Sequence, residues 1–124
     1  MRRQAAALIF GFALHHSLAG FYDTTREISV QGVITEFRFV NPHPFLIIDV
    51  EHQPWKLEMD NLSELADVGM TKETFKSGDR VVVSGNRARE KSQQVLYIRK
   101  LDRPADGFRY EQVGTSPRIN VKPR

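Results

Sequence analysis

From Ile28 onward, short runs of β-branched and aromatic residues alternate with Gly, Pro, Asn and Asp, a pattern that predicts strands joined by turns. Ile28 and Val30 share one face by period two, whereas Val33, Phe37 and Phe39 fall in the opposite phase, so the alternation slips by one near Gly32. A slip at glycine predicts a bulge that bends a long first strand, and such bending turns the corner of a small barrel. Asn41-Pro42-His43-Pro44 then breaks the pattern, because each proline removes a donor and holds the residue before it extended. Phe45 to Val50 is apolar on both faces except at Asp49, as in a covered central strand. After a turn at Glu51-His52-Gln53-Pro54, Trp55, Leu57 and Met59 alternate with Lys56 and Glu58, which predicts a half-buried strand.

Asn61 with Glu64 three residues later forms a capping-box pattern, and Leu62, Leu65 and Ala66 line one side of a short helix that Gly69 ends. Thr71 to Phe75 reads as a second helical turn, and Lys76 to Asp79 as a turn into a strand over Arg80 to Ser84. A polar connection over Gly85 to Ser92 precedes a further strand over Gln94 to Leu101, a turn over Pro104 to Gly107 and a short edge strand over Phe108 to Tyr110. Residues 111–124 hold two prolines and few large apolar side chains, which predicts a flexible tail. The expected fold class is therefore all-β: a small OB-like (oligonucleotide/oligosaccharide-binding) barrel of five to six strands with one short helix between strands 3 and 4. Barrels of the SH3 type and half-sandwiches have similar element strings.

Ahead of the strands, Met1-Arg2-Arg3-Gln4 feeds an apolar run from Ala5 to Leu14, the layout of a secretory signal and too short to span a bilayer as a helix. Residues 1–14 are expected to be a signal peptide or an N-terminal apolar helix, 15–110 the barrel and 111–124 the tail. Cleavage after Ala13 leaves His15 and His16 beside the new terminus, whereas cleavage after Ala19 discards both. The expected compartment is the periplasm, with membrane contact only through an uncleaved signal.

At 40% hydrophobic and 27% charged residues, the 124-residue chain has the balance of a folded domain. It has no cysteine, so disulfides, zinc-thiolate centres, iron–sulfur clusters and thiol nucleophiles are excluded. The net charge of +3 comes from the ends, since residues 15–110 carry 13 basic and 14 acidic side chains. A nucleic-acid binder needs a basic stripe on the fold itself, so no nucleic acid is expected among the partners.

His15, His16 and His43 are the candidate metal ligands. Two adjacent histidines in a flexible terminus can close on one ion, and His43, set between two prolines, would add a third imidazole for copper, zinc or nickel. The competing expectation is a polar junction at His15-His16 and a backbone hydrogen bond from His43. Glu58 and Asp60 suit either a completed site or a solvated face. Asn41, Pro42 and Trp55 are the candidate ligand-binding residues: the first two lie in a loop suited to a contact surface, and Trp55, with Phe37, Phe39 and Phe45, supplies rings of the kind such barrels expose to stack bases or sugars. The period-two spacing of Phe37, Phe39 and Trp55 suits a barrel interior as well. There is no Gly-x-Ser-x-Gly elbow, phosphate-cradling glycine loop, dinucleotide fingerprint or His-Glu-x-x-His helix, and no enzymatic activity is expected.

Four segments recur together in one known family. They are His15-His16-Ser17 followed by Phe21-Tyr22-Asp23; Gly32-Val33 and Phe37 before Asn41-Pro42-His43; Trp55-Lys56-Leu57-Glu58; and Gly69-Met70-Thr71 through Lys76-Ser77-Gly78-Asp79-Arg80-Val81. In these the chain resembles the exported bacterial family known as domain of unknown function 6152, over about residues 13–110. The resemblance implies export and a signal cut just before the paired histidines, which favours the site after Ala13; it implies no reaction. Leu14 stands where the family has a small residue, and the leader is unusually short. The expectation is an exported binding or accessory module. It either holds a transition metal through its histidines or, without metal, binds a protein or small ligand through the Asn41–Pro44 loop and the tail.

Overall fold

The computed structural model describes residues 18–114 and 116–120, in which helical residues 18–21 precede seven strands with one short helix among them. β1 (Ile28–Arg38) is the longest strand and is shared by two neighbours, pairing antiparallel with both β2 (Phe45–Val50) and β4 (Arg80–Arg87). The phase slip lies between Ile34 and Glu36 rather than near Gly32, so Ile28, Val30 and Ile34 face inward before it, and Phe37 and Phe39 after it. Gly32 answers a different demand: a Cβ there would collide with the Asp49 carbonyl, so only glycine lets β1 cross β2 this closely.

A two-residue turn at Glu51 and His52, both with left-handed backbone, joins β2 to β3 (Gln53–Glu58). β3 then pairs in parallel with β5 (Val95–Arg103) through Lys56, Leu57 and Glu58, and β4 pairs with β5. This closes a five-stranded barrel in the order β1-β2-β3-β5-β4. The OB-like expectation is met. Between β3 and β4 lies the helix α1 (Leu62–Asp67), capped by Asn61, whose side chain accepts from the Glu64 amide at 2.9 Å. Gly69 ends it with a positive φ, as the capping pattern predicts. Leu65 of α1, Met70 and Phe75 join Leu46, Ile48, Leu57, Leu96 and Ile98 in the interior. Full burial of such side chains contributes roughly 1.5–3 kcal/mol each.

Residues after Tyr110 depart from the flexible tail expected of them. β6 (Phe108–Val113) runs antiparallel to β5, and β7 (Ser116–Asn120) pairs with β6 from Val113↔Ser116 to Arg109↔Asn120. Phe108, Tyr110 and Pro117 are buried, so a few well-placed rings hold a hairpin that its composition does not announce. The β5–β6 turn is fixed by Arg103, which is only 4% exposed. Its guanidinium donates to Asp79 at 3.1 Å, Asp106 at 2.8 Å and the Thr74 carbonyl at 2.6 Å. Among the described residues no helix is long and apolar enough to cross a membrane.

Candidate functional site

Strand register sorts the barrel wall into rows. Phe37, Leu46, Leu57 and Leu96 face each other across β1, β2, β3 and β5 and point into the barrel. The rows on either side, Arg38–Phe45–Glu58–Tyr97 and Glu36–Ile47–Lys56–Val95, therefore point outward. On β2 and β3 this outer wall is open. Lys56 is exposed, Phe45 and Ile47 are half-buried, and the Lys56 ammonium stands 4.6 Å from the centroid of the Phe45 ring. Arg38 pairs with Glu36 at the β1 margin.

The β1–β2 loop borders this wall. Its chain is held by the Met59 amide, which donates to the Pro44 carbonyl at 3.0 Å, and by the Leu62 amide, which donates to the Pro42 carbonyl at 3.1 Å. Asn41 and Pro42 are exposed there, as suits a contact surface, and the peptide between them is cis. His43 is exposed and its Nδ1 lies 3.0 Å from the Met59 carbonyl, the backbone hydrogen bond expected of it; the other ring nitrogen is left without a partner among the described residues. His15 and His16 lie outside the described residues, as do residues 1–14, where a signal peptide or apolar helix is expected. Among the described residues no three His, Asp or Glu side chains converge on a metal position.

Trp55 corrects the ligand-binding expectation. It is 8% exposed and packs in the interior, because β3 turns its Trp55, Leu57, Met59 phase inward; the Arg87 guanidinium covers the ring at 5.1 Å. Its face is not offered to a ligand. Phe37 and Phe39 pack against the core, and Phe45 is the ring of the four that lies on the outer wall.

Beyond Glu58 the same wall is sealed by a polar network that sequence reasoning missed. Asp60, 5% exposed, is not on a solvated face. Its carboxylate accepts from Tyr97 Oη at 3.0 Å, from Tyr110 Oη at 2.5 Å and from Gln112 Nε2 at 2.8 Å. Gln112 also donates to Tyr97 Oη at 2.7 Å and accepts from Arg99, whose Nε donates to Asn86 Oδ1 at 2.6 Å. Tyr22 lies over this network, its ring 5.7 Å from that of Tyr97 and its hydroxyl donating to Glu58 at 2.7 Å. Burial, followed by the neighbouring carboxylates Glu58 and Asp60, pushes all three phenols well above the usual tyrosine range. The signal available in sequence was a tyrosine on the outward phase of a strand, two residues from Arg99, which a solvated wall does not need.

The chain matches the family described as "Family of unknown function (DUF6152)" over residues 5–97, and it belongs to that family. No curated protein sequence matches it. Among solved structures, the barrel resembles a chain of the S. pombe Stn1-Ten1 complex, with TM-score 0.51 and 16% identity, covering 65% of this chain and 62% of that one. It also resembles TiaS in its complex with a tRNA, AMPCPP and agmatine, with TM-score 0.50 and 16% identity, covering 80% of this chain and 27% of TiaS. At these identities the likeness shows the fold.

One expectation is overturned here. Nucleic acid was excluded as a partner because the charge of residues 15–110 is balanced, yet a barrel of this shape forms part of a protein whose structure contains tRNA.

Proposed function

We propose that this protein is an exported binding module that presents the outer wall of β2 and β3, with the Asn41–Pro44 loop, to a ligand carrying ring-shaped units. The observation that carries the reading is the Phe45 ring beside Lys56 on an open wall whose other half is sealed. An aromatic ring on this wall is a stacking platform, worth about 1–3 kcal/mol for each base it holds. Ile47 extends the apolar contact, and Lys56 supplies a charge for the polar part of the ligand. The TiaS complex with tRNA supports counting nucleotide bases among such rings; sugar rings stack on aromatics in the same way. The charged start and apolar run of residues 1–14 support export, and no motif in the sequence supports catalysis.

Binding isotherms with a short oligothymidylate and with a short neutral oligosaccharide test the reading. Saturable binding to one of them, weakened about tenfold or more in Phe45→Ala, is the expected result. No saturable binding to either, or the same affinity in the variant, contradicts it. The mass of the protein recovered from its host tests export, which predicts loss of the N-terminal segment.

A second reading, metal binding through His15, His16 and His43, is favoured by the geometry of His43. A ring held through Nδ1 by a backbone carbonyl leaves Nε2 to an ion, the usual outer-shell arrangement of a metal-bound imidazole. Copper binding to the mature protein that survives both His16→Ala and His43→Ala rejects this reading.

A further inference from the structure

A second cluster of chemistry lies away from the β2–β3 wall, where the segment before β1 runs along the end of β4. The segment is well anchored: Tyr22 bridges to Ala88, the Asp23 amide donates to the Arg87 carbonyl at 2.8 Å, and Asn86 Nδ2 donates to the Arg26 carbonyl at 2.8 Å. Between this segment and the β4–β5 loop is a pocket of about 40 Å³, lined by Arg26, Arg87, Arg89 and Lys91 together with Asp23. One water needs roughly 10–15 Å³ of such space, so the pocket suits a small oxyanion.

Four cations and one carboxylate line this pocket, although residues 15–110 as a whole carry 13 basic and 14 acidic side chains. That carboxylate is already engaged. Asp23 accepts from the Thr25 hydroxyl at 2.6 Å and the Thr25 amide at 3.1 Å, bonds that hold its carboxyl below the usual range, and it reaches Arg26 only at 3.8 Å. Two of the pocket's four cations are aimed by backbone instead. Arg87 donates to the Lys91 carbonyl at 2.7 Å and lies against Trp55, with its Nε unpartnered; Arg89 Nε donates to the Ala19 carbonyl at 2.9 Å. No described acidic side chain forms an ion pair with Arg87, Arg89 or Lys91. Guanidinium groups held in place, with donors left over, match the oxygens of a phosphate.

We infer that this pocket binds a phosphate group, either free or as an ester within a larger ligand. The pocket shares no lining residue with the Phe45–Ile47–Lys56 wall, and the inference does not depend on what that wall holds.

The test is a titration of the full chain with inorganic phosphate, followed by amide chemical shifts, in the parent protein and in Arg26→Ala combined with Lys91→Ala. Both side chains project from the surface without a structural hydrogen bond, so the variant is expected to keep its thermal midpoint. The expected result is saturable shifts at Ala88 to Lys91, weakened about tenfold or more in the double variant and unchanged in Phe45→Ala and Arg118→Ala. A short single-stranded oligonucleotide that displaces phosphate from the pocket identifies an ester within a chain; failure to displace it identifies the free anion. Shifts spread evenly over all basic residues, or equal affinity in the double variant, overturn the inference.

Discussion

The outer row Arg38–Phe45–Glu58–Tyr97 crosses one wall of one barrel, yet its two halves are finished differently. On the β3–β5 side, Tyr97 is covered by Tyr22 and tied through Asp60, Tyr110 and Gln112 to the β6–β7 hairpin. On the β2–β3 side, Phe45 and Ile47 are half-buried among the described residues, with the exposed Lys56 beside them. The sealed half shows that the chain has the means to cover this wall, since it uses both its N-terminal segment and its C-terminal hairpin to do so. Leaving the other half bare fits a surface kept for a ligand. Stability and binding should therefore separate along a single row of side chains.

Alkaline pH gives the strongest probe of the sealed half. All three tyrosines of the chain lie in it, and each folded phenol holds its proton beyond the ordinary value of 10.0. The unfolded state thus loses protons first, and the stability these groups contribute is complete below that pH and falls as pH rises past it. The decline reaches about 1.4 kcal/mol per pH unit for each phenol that stays protonated in the fold. Phenolate absorbance should rise together with loss of the circular dichroism signal; an ordinary titration in the folded protein would show that the half is open.

Substitution at the centre of the network comes next in size. Asp60→Ala leaves Tyr97 and Tyr110 hydroxyls without their acceptor and should cost about 3 kcal/mol in denaturant unfolding, whereas Asp60→Asn, which keeps one acceptor oxygen, should cost about 1 kcal/mol. Equal effects of the two would mean that the hydrogen bonds contribute little. Smallest is the effect of Phe45→Ala on the open half, expected to stay within about 1 kcal/mol because the ring is only half-buried. A loss several times larger would make Phe45 a structural residue and remove the contrast.

The barrel was largely legible in the sequence because its interior follows period two. Trp55 and Leu57 on β3, with Met59 just beyond it, alternate with Lys56 and Glu58 as a one-sided strand must, and Asn61 and Gly69 mark the ends of α1 by chemistry specific to those positions. Of the hairpin after β5, only the start at Phe108 to Tyr110 was legible; residues 111–120, with the buried Pro117 among polar neighbours, read as a tail. The network was hidden for a related reason: Asp60 lies more than thirty positions from Tyr97 and fifty from Tyr110, so no local pattern links them. The bulge was misplaced because two signals overlap in β1, where glycine marks a close backbone crossing and the slip itself falls just beyond it.

The division of the wall is tested most directly by mapping amide shifts across β2, β3 and β5 as a ring-bearing ligand, oligothymidylate or oligosaccharide, is added to the folded protein. Saturable shifts at Phe45, Ile47 and Lys56, with Asp60, Tyr97 and Gln112 unmoved, are the predicted result. Shifts centred on Tyr97 and Gln112, with the Phe45 wall silent, would contradict it.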